Sequence, residues 1–592
     1  MIDKNPSRQP SDTVGEWLRR RAESGVGAVI AGGFAMSLHP QHPIPPVPEQ
    51  TARIACAAFP KGSPYLTLRD TLGTIFADGH FADLYPKQGR PACPPWRLAL
   101  ITLMQFREGL SDRQAAEAVR ARIDWKYLLG LELSDPGFDF SVLCEFRDRL
   151  LAGGAQERLL ERVLEVAREL GVLKARGRQR TDSTHVLAAV RTLNRLELVA
   201  ETLRAALNAT AAVAPDWLRA LAPAAWYERY GRRIEDTRLP QGEAKREAYA
   251  CQVGEDGFCL LDALAAPHAP EQLADLPAIQ VLRTVWARHF EPRSEGGSGS
   301  AGARRARLRP VRGPGHDEDR IESPYDVEAR FRTKRAMSWT GYMVHLTETC
   351  DPDAPRLVIH IDTTPASVHE ARRTGPIHAA LARKGLTPST HLVDAAYVSA
   401  RQLVEARERY GIDLVGPTPQ DVSWQHRREG AFGMEAFTVD WESQRVRCPA
   451  GQHSMSWSEY QDKARGHRIK VHFSSTACQA CPSKPLCTRT KTQGRQLSLH
   501  PREAHEALAA ARARLTSNEE RGLYRLRAGI EGTLSQGVRA FGLRQARYRG
   551  LAKMHLQTVA TAVALNIDRL AAWLEHRPLA PTRKSRFLAL AA

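Results

Sequence analysis

Apolar positions recur at helical spacing from about 97 to 170. Leu98, Leu100, Ile101, Met104 and Phe106 form one run, and Ala115, Ala118 and Val119 follow the helix-start residues Ser111 and Asp112. The pattern predicts an all-helical N-terminal domain over 76–170 with four or five helices. Residues 1–75 are rich in Pro and Gly, with Pro40, Pro43, Pro45, Pro46 and Pro48 close together, and read as an extended, partly disordered segment. A second helical stretch, about 193–222, belongs to an insertion placed at 190–290. Residues 292–320 interleave Gly with Arg304, Arg305, Arg307, Arg309 and Arg312, the pattern of a flexible basic linker. Short β-type runs at 342–347, 357–361, 391–393 and 414–415, with a helical segment at about 376–384, predict an α/β sheet within 171–420. The stretch 421–500 carries clustered cysteines and reads as an inserted module. Helical periodicity returns over 501–576, ending in Val559, Val563, Leu565, Ile567, Leu570 and Leu574, before a basic tail at 577–592.

Composition narrows the class. At 43% hydrophobic and 25% charged over 592 residues, collagen-like, wholly disordered and membrane-embedded chains are excluded. The longest apolar run falls short of the ~18 residues of a membrane span, so no membrane partner and a cytoplasmic location are expected. Ten cysteines are too sparse for a disulfide scaffold. The net charge of +18 points to a polyanion, nucleic acid first, although an anionic membrane surface attracts the same charge. The final 92 residues hold 16 Lys and Arg against 7 Asp and Glu, a net +9 that is half the total.

Three carboxylates stand out by context. Asp182 lies in Arg-Thr-Asp-Ser-Thr-His-Val, where a polar turn enters an apolar segment, and Asp394 closes the run His391-Leu392-Val393. Glu531 is on a helix in which Tyr524, Arg527 and Glu531 are spaced three and four apart and share a face. Two carboxylates on a sheet and one on an adjoining helix can hold two divalent cations, which phosphoryl transfer on DNA requires; Mg²⁺ takes oxygen ligands and keeps several waters. Against this, a lone Asp at a strand end is more often a turn former or helix cap.

Tyr524-x2-Arg527-x3-Glu531, with Asp182 and Asp394 upstream, resembles the signature of DDE transposases of bacterial insertion sequences. More closely, Thr181-Asp182-Ser183-Thr184-His185-Val186, Ser323-Pro324-Tyr325-Asp326, Gly341-Tyr342-Met343-Val344-His345, Asp394-Ala395-Ala396-Tyr397 and Arg544-Gln545-Ala546-Arg547-Tyr548 resemble insertion-sequence family eleven-eighty-two. Gly89-Arg90-Pro91 and Leu110-Ser111-Asp112-Arg113-Gln114-Ala115 resemble the helical N-terminal domain of such transposases. The resemblance implies an RNase H-like catalytic core, here interrupted by insertions. It implies Asp182, Asp394 and Glu531 as the ligands of Mg²⁺ or Mn²⁺, with Tyr524 and Arg527 orienting DNA phosphate or the Glu531 carboxylate. The implied reaction is strand cleavage at terminal inverted repeats followed by strand transfer into target DNA, by a homodimer that brings two ends together. Where related families carry a Lys seven residues after the Glu, this chain has Val538 followed by Arg539, so Arg539, Arg544 or Arg547 is expected to supply that phosphate contact. The similar region begins near Met36, which leaves residues 1–35 as an upstream extension or a mis-assigned start.

Two further features are candidates for binding. Cys448, Cys478-x2-Cys481 and Cys487 have the spacing of a four-sulfur structural Zn²⁺ site, with small thiols packed without metal as the alternative. Arg544, Arg547, Arg549 and Lys553 form the densest basic cluster, placed beside the Glu531 helix for DNA, with a solvated helix face as the alternative. His345 is expected to be a satisfied core histidine. The competing functions are an RNase H-like nuclease without strand transfer and a catalytically inactive, zinc-containing DNA-binding regulator.

Overall fold

The computed structural model describes residues 36–293, 305–310, 320–418, 423–462, 466–578, 586–587 and 590. The segment 1–35, most of the Gly/Arg linker and most of the basic tail lie outside the described residues.

Seven helices precede the sheet: α1 (Glu49–Ala58), α2 (Pro64–Leu72), α3 (Pro95–Glu108), α4 (Asp112–Ala121), α5 (Ile123–Leu129), α6 (Ser141–Ala152) and α7 (Arg158–Glu169). Proline occupies the first turn of α2 and α3, where its missing N–H is not needed. A reciprocal capping box between Ser111 and Gln114 starts α4. Helix α3 buries every residue from Leu98 to Phe106 and is the hub of this unit. Helices α1 and α2 correct the expectation of an extended segment up to residue 75. The prolines at 40–48 do keep that stretch irregular, but Ala55 and Leu66 just beyond it find an apolar partner in Tyr127 of α5.

Strand β1 (Arg178–Leu187) enters the sheet, and the chain then leaves it for a helical insertion containing α8 (Arg195–Val213), α9 (Glu243–Ala265) and α10 (Pro277–His289). The insertion has a hydrophobic cluster of its own, built on Val199, Leu203, Trp226, Leu260 and Trp286. Part of the expected linker is ordered: Arg305–Leu308 pairs antiparallel with Phe290–Arg293, with Ala306 buried in the insertion's core.

The sheet is completed by β2 (Arg330–Lys334), β3 (Met337–Thr349), β4 (Val358–Pro365), β5 (Thr390–Val393) and β6 (Asp413–Val415). Its order is β6-β5-β1-β3-β2, with β4 also paired to β3. Strands β6, β5 and β1 are parallel, and β3 is antiparallel to β1, β2 and β4. Strand β3 is buried from Trp339 onward, as a strand covered on both faces must be. Helices α11 (Thr374–Arg383) and α12 (Ala400–Tyr410) provide the crossovers into β5 and β6.

Antiparallel strands β7 (Ser456–Asp462), β8 (Gly466–His472) and β9 (Gln496–Leu499) form the cysteine-bearing module around Val446, Ile469, Val471 and Leu497. The chain ends in α13 (Arg502–Arg514), α14 (Asn518–Arg525), α15 (Gly529–Phe541) and α16 (Leu551–Leu574). Helix α16 packs on β4, α3 and α7, so that one apolar cluster runs from Tyr65 through the sheet to Leu570. Asn566 fixes its register by bonding both the N–H and the C=O of Val358, each at 2.7 Å. The N-terminal helices therefore share the core of the sheet. No helix among the described residues is long and apolar enough to cross a membrane.

Candidate active site

The parallel register of β1 and β5 pairs Thr181 with Val393, so Asp394, just past the carboxyl end of β5, comes beside Asp182 in the middle of β1, which runs on to Leu187. In open α/β sheets this end is where ligands bind. Asp394 does cap a turn, accepting the Ala396 N–H at 2.9 Å through Oδ1. Among the described residues its other oxygen makes no hydrogen bond. Asp182 accepts the Ser183 N–H through Oδ1 at 2.7 Å and Nη1 of Arg527 through Oδ2 at 2.9 Å. Burial, reinforced by the charge of Asp394, raises the Asp182 carboxyl above its ordinary range, against the pull of the Ser183 N–H and Arg527.

Glu531 reaches this corner through Arg527. The guanidinium donates Nη2 to Glu531 Oε1 at 3.0 Å while its Nη1 holds Asp182. The Glu531 side chain is 64% exposed, whereas those of Asp182 and Arg527 are each 17% exposed. Tyr524 lies 6.0 Å below the guanidinium carbon, and burial raises its phenol, with the two aspartates adding to the effect and Arg527 opposing it. The helix expected to carry Tyr524, Arg527 and Glu531 is broken into α14, a 3₁₀ turn at Leu526–Ala528 and α15, yet the spacing still brings the three together. Among the described residues no three His, Cys, Asp or Glu side chains are arranged to hold a metal ion, neither in the cysteine module nor at this corner, where Glu531 is drawn to Arg527. The donor set itself fits a hard divalent cation: oxygen ligands only, with two adjacent carboxylates whose mutual repulsion a cation would relieve.

The basic residues divide into two groups. Arg544 donates Nε to Thr184 Oγ1 at 2.9 Å, on the same face of β1 as Asp182, and its carbonyl accepts the Leu187 N–H. Arg539 is exposed in the last turn of α15. The others have structural partners that the sequence did not reveal. Arg547 donates to the Leu110 carbonyl at 3.0 Å and stacks on Phe106, Lys553 pairs with Asp148 at 3.2 Å, and Arg549 lies over Tyr325. These three dock the N-terminal helices and the 323–326 loop onto the C-terminal segment. His345 is fully buried with Nδ1 bonded to the Tyr397 hydroxyl at 2.6 Å, and burial lowers it to about 4.

Cys448, Cys478, Cys481 and Cys487 line one small cavity of about 30 Å³ in the module. All are free thiols, and burial raises that of Cys487. Beneath the carboxylates lies a group that sequence reasoning missed: Arg180, Glu348, Thr533 and Arg569. Its one sequence signal was the position of Arg180 two residues before Asp182, on the same face of the strand.

The comparisons with known families bear on this geometry. Residues 447–571 match the family model described as "Transposase DDE domain". Part of the chain is thus similar to a transposase domain. The second match, to "Transposase domain (DUF772)", covers residues 55–149, most of the N-terminal helical unit. The DDE-domain match begins beside Cys448 and runs through Glu531 to α16, so it takes in the four cysteines and strands β7–β9, while Asp182 and Asp394 lie outside it. No curated protein matches the chain. The matches indicate a transposase, a protein that acts on DNA.

Proposed function

We propose that this chain is a DDE-class DNA transposase that cleaves the ends of an insertion sequence and transfers the strand into target DNA. The observation that carries the reading is the corner where Asp182 and Asp394 stand side by side and Arg527 links Asp182 to Glu531. The strand order supports an RNase H-like core, since three antiparallel strands (β4, β3, β1) continue into two parallel ones (β5, β6). Divalent cations, Mg²⁺ or Mn²⁺, held by the three carboxylates would activate the attacking oxygen and stabilise the leaving one.

The chain's own residues position and neutralise. Arg527 keeps the carboxylates from repelling one another in the free protein. Once the carboxylates are otherwise neutralised, its guanidinium is available to a phosphate, with Tyr524 supporting it from below. Arg544, bonded to Thr184 beside Asp182, and Arg539, exposed at the far end of α15 from Glu531, supply further phosphate contacts, while Arg547, Arg549 and Lys553 serve chiefly to assemble the fold around the corner. Joining two ends calls for a homodimer on DNA. In the module, Cys448, Cys478, Cys481 and Cys487, which line one cavity, would be the ligands of a structural Zn²⁺.

Labelled terminal DNA with Mg²⁺ and a target plasmid tests the reading. A transposase yields labelled ends covalently joined to the plasmid. Cut ends without joined product would assign a nuclease, and end binding without cutting would assign a DNA-binding regulator.

A further inference from the structure

Directly beneath the carboxylate corner, Glu348 of β3 stands opposite Arg180 of β1 in the antiparallel register, one strand repeat below Asp182. Glu348 is 0% exposed and Arg180 is 2% exposed. Arg180 donates Nε to Glu348 Oε1 at 2.7 Å, and its Nη1 reaches the Leu526 carbonyl. Glu348 Oε2 accepts Thr533 Oγ1–H at 2.6 Å and Arg569 Nη1 at 2.9 Å, and Arg569 donates Nη2 to Thr533 Oγ1 at 2.7 Å. Leu526 immediately precedes Arg527, and Thr533 follows Glu531 by two residues. The anchors therefore bracket the segment that carries both residues facing Asp182.

Both carboxylate oxygens of Glu348 are occupied, so it is a paired buried charge, while Arg180 Nη2 stands 2.6 Å from Glu348 Oε1 as an ion pair without a hydrogen bond of its own among the described residues. Gly529, between the anchors, fits the same arrangement: a Cβ there would overlap the Arg180 guanidinium, so that a side chain at 529 would displace Arg180 from its bonds to Glu348 and Leu526.

We infer that Glu348 is a positioning residue for the metal site: through Arg180, Thr533 and Arg569 it sets where Glu531 and Arg527 stand relative to the Asp182 strand. This rests on the carboxylate reading above. Residues that orient ligands from behind typically change metal affinity about 10–100-fold when altered. A residue that served stability alone would change the melting temperature and leave affinity untouched.

The test is a Mn²⁺ titration of the full chain followed by electron paramagnetic resonance, with melting temperatures in parallel, for the parent, Asp182→Ala, Glu348→Gln, Thr533→Val and Gly529→Ala. The parent should bind Mn²⁺ in a manner that Asp182→Ala removes. Glu348→Gln should weaken that binding about ten-fold, with Thr533→Val and Gly529→Ala following in the same direction. If Glu348→Gln fails to fold, Thr533→Val, which removes one hydroxyl at nearly constant volume, carries the test. Parent-like Mn²⁺ affinity in the folded variants, with only the melting temperature lowered, would overturn the inference and leave the active-site reading standing. Absence of Asp182-dependent Mn²⁺ binding in the parent would instead overturn the carboxylate reading itself.

Discussion

The carboxylate corner and the cysteine module are organised in opposite ways. The corner sits on the largest core of the molecule and is anchored by a buried charged network, so its exposed member, Glu531, is held by groups that are themselves fixed. The module rests on a core of seven buried residues, with Cys448, Cys478 and Cys487 packed against it and the four thiols around one cavity. On the reading proposed above, thiolate-bound Zn²⁺ would staple a unit with so small a core. The two regions should therefore respond differently to the loss of charge and the loss of metal.

The largest effect is expected at the corner. Glu531→Gln should lower end cleavage by on the order of 10²–10³-fold or more while leaving the affinity for terminal DNA near that of the parent, measured by gel shift; equal losses of both would place Glu531 in DNA binding alone. Next comes the module. Replacing Cys448, Cys478, Cys481 and Cys487 together by Ser should remove about one zinc per chain by mass spectrometry, following the four-ligand site of structural zinc, and open residues 438–499 to protease while the sheet stays resistant. Equal zinc content in variant and parent would remove the site.

A smaller effect separates Arg527 from the ligands. Arg527→Ala removes a positive charge that holds the Asp182 carboxyl down, so the Asp182 pKa should rise further and the acid limb of the pH–rate profile should move to higher pH. An unmoved limb would show that the guanidinium does not set the protonation of Asp182.

The smallest effect concerns acid stability. Although burial opposes it, the hydrogen bond from His555 and the charge of Lys384 hold Glu157 at about 2, and Arg332 and Lys334 hold the buried Glu370 at about 2. Both carboxyls are depressed in the folded chain. Their stabilisation is therefore complete above the ordinary glutamate range and is lost as pH falls from there towards about 2. Melting temperatures between pH 6 and pH 2 should fall for the parent and fall less for Glu157→Gln, which starts lower.

Local signals in the sequence marked parts of the corner, and the family resemblance singled out Asp182, Asp394 and Glu531 among them. The apolar run before Asp394 ends a strand, and spacings of three and four place Tyr524, Arg527 and Glu531 on one face even across a 3₁₀ break. The partners of the basic residues were not legible. Arg547 and Lys553 meet Leu110 and Asp148 across more than 400 positions, a pairing that no periodicity encodes. Glu348 escaped notice for a related reason. In sequence it is one polar residue in the alternating Thr-Glu-Thr at the end of β3, and only the β1–β3 register sets it against Arg180. The helices at 49–72 were missed because prolines at 40–48 dominate the local pattern, while the surface that stabilises those helices is supplied by α5.

The most direct test of metal ligation at the corner is end cleavage by Asp394→Cys in Mg²⁺ and in Mn²⁺. A thiolate suits Mg²⁺ poorly and a softer cation better. The account predicts that cleavage is lost in Mg²⁺ and partly restored in Mn²⁺, with terminal-DNA binding retained throughout. Parent-level cleavage by Asp394→Cys in Mg²⁺ would contradict it.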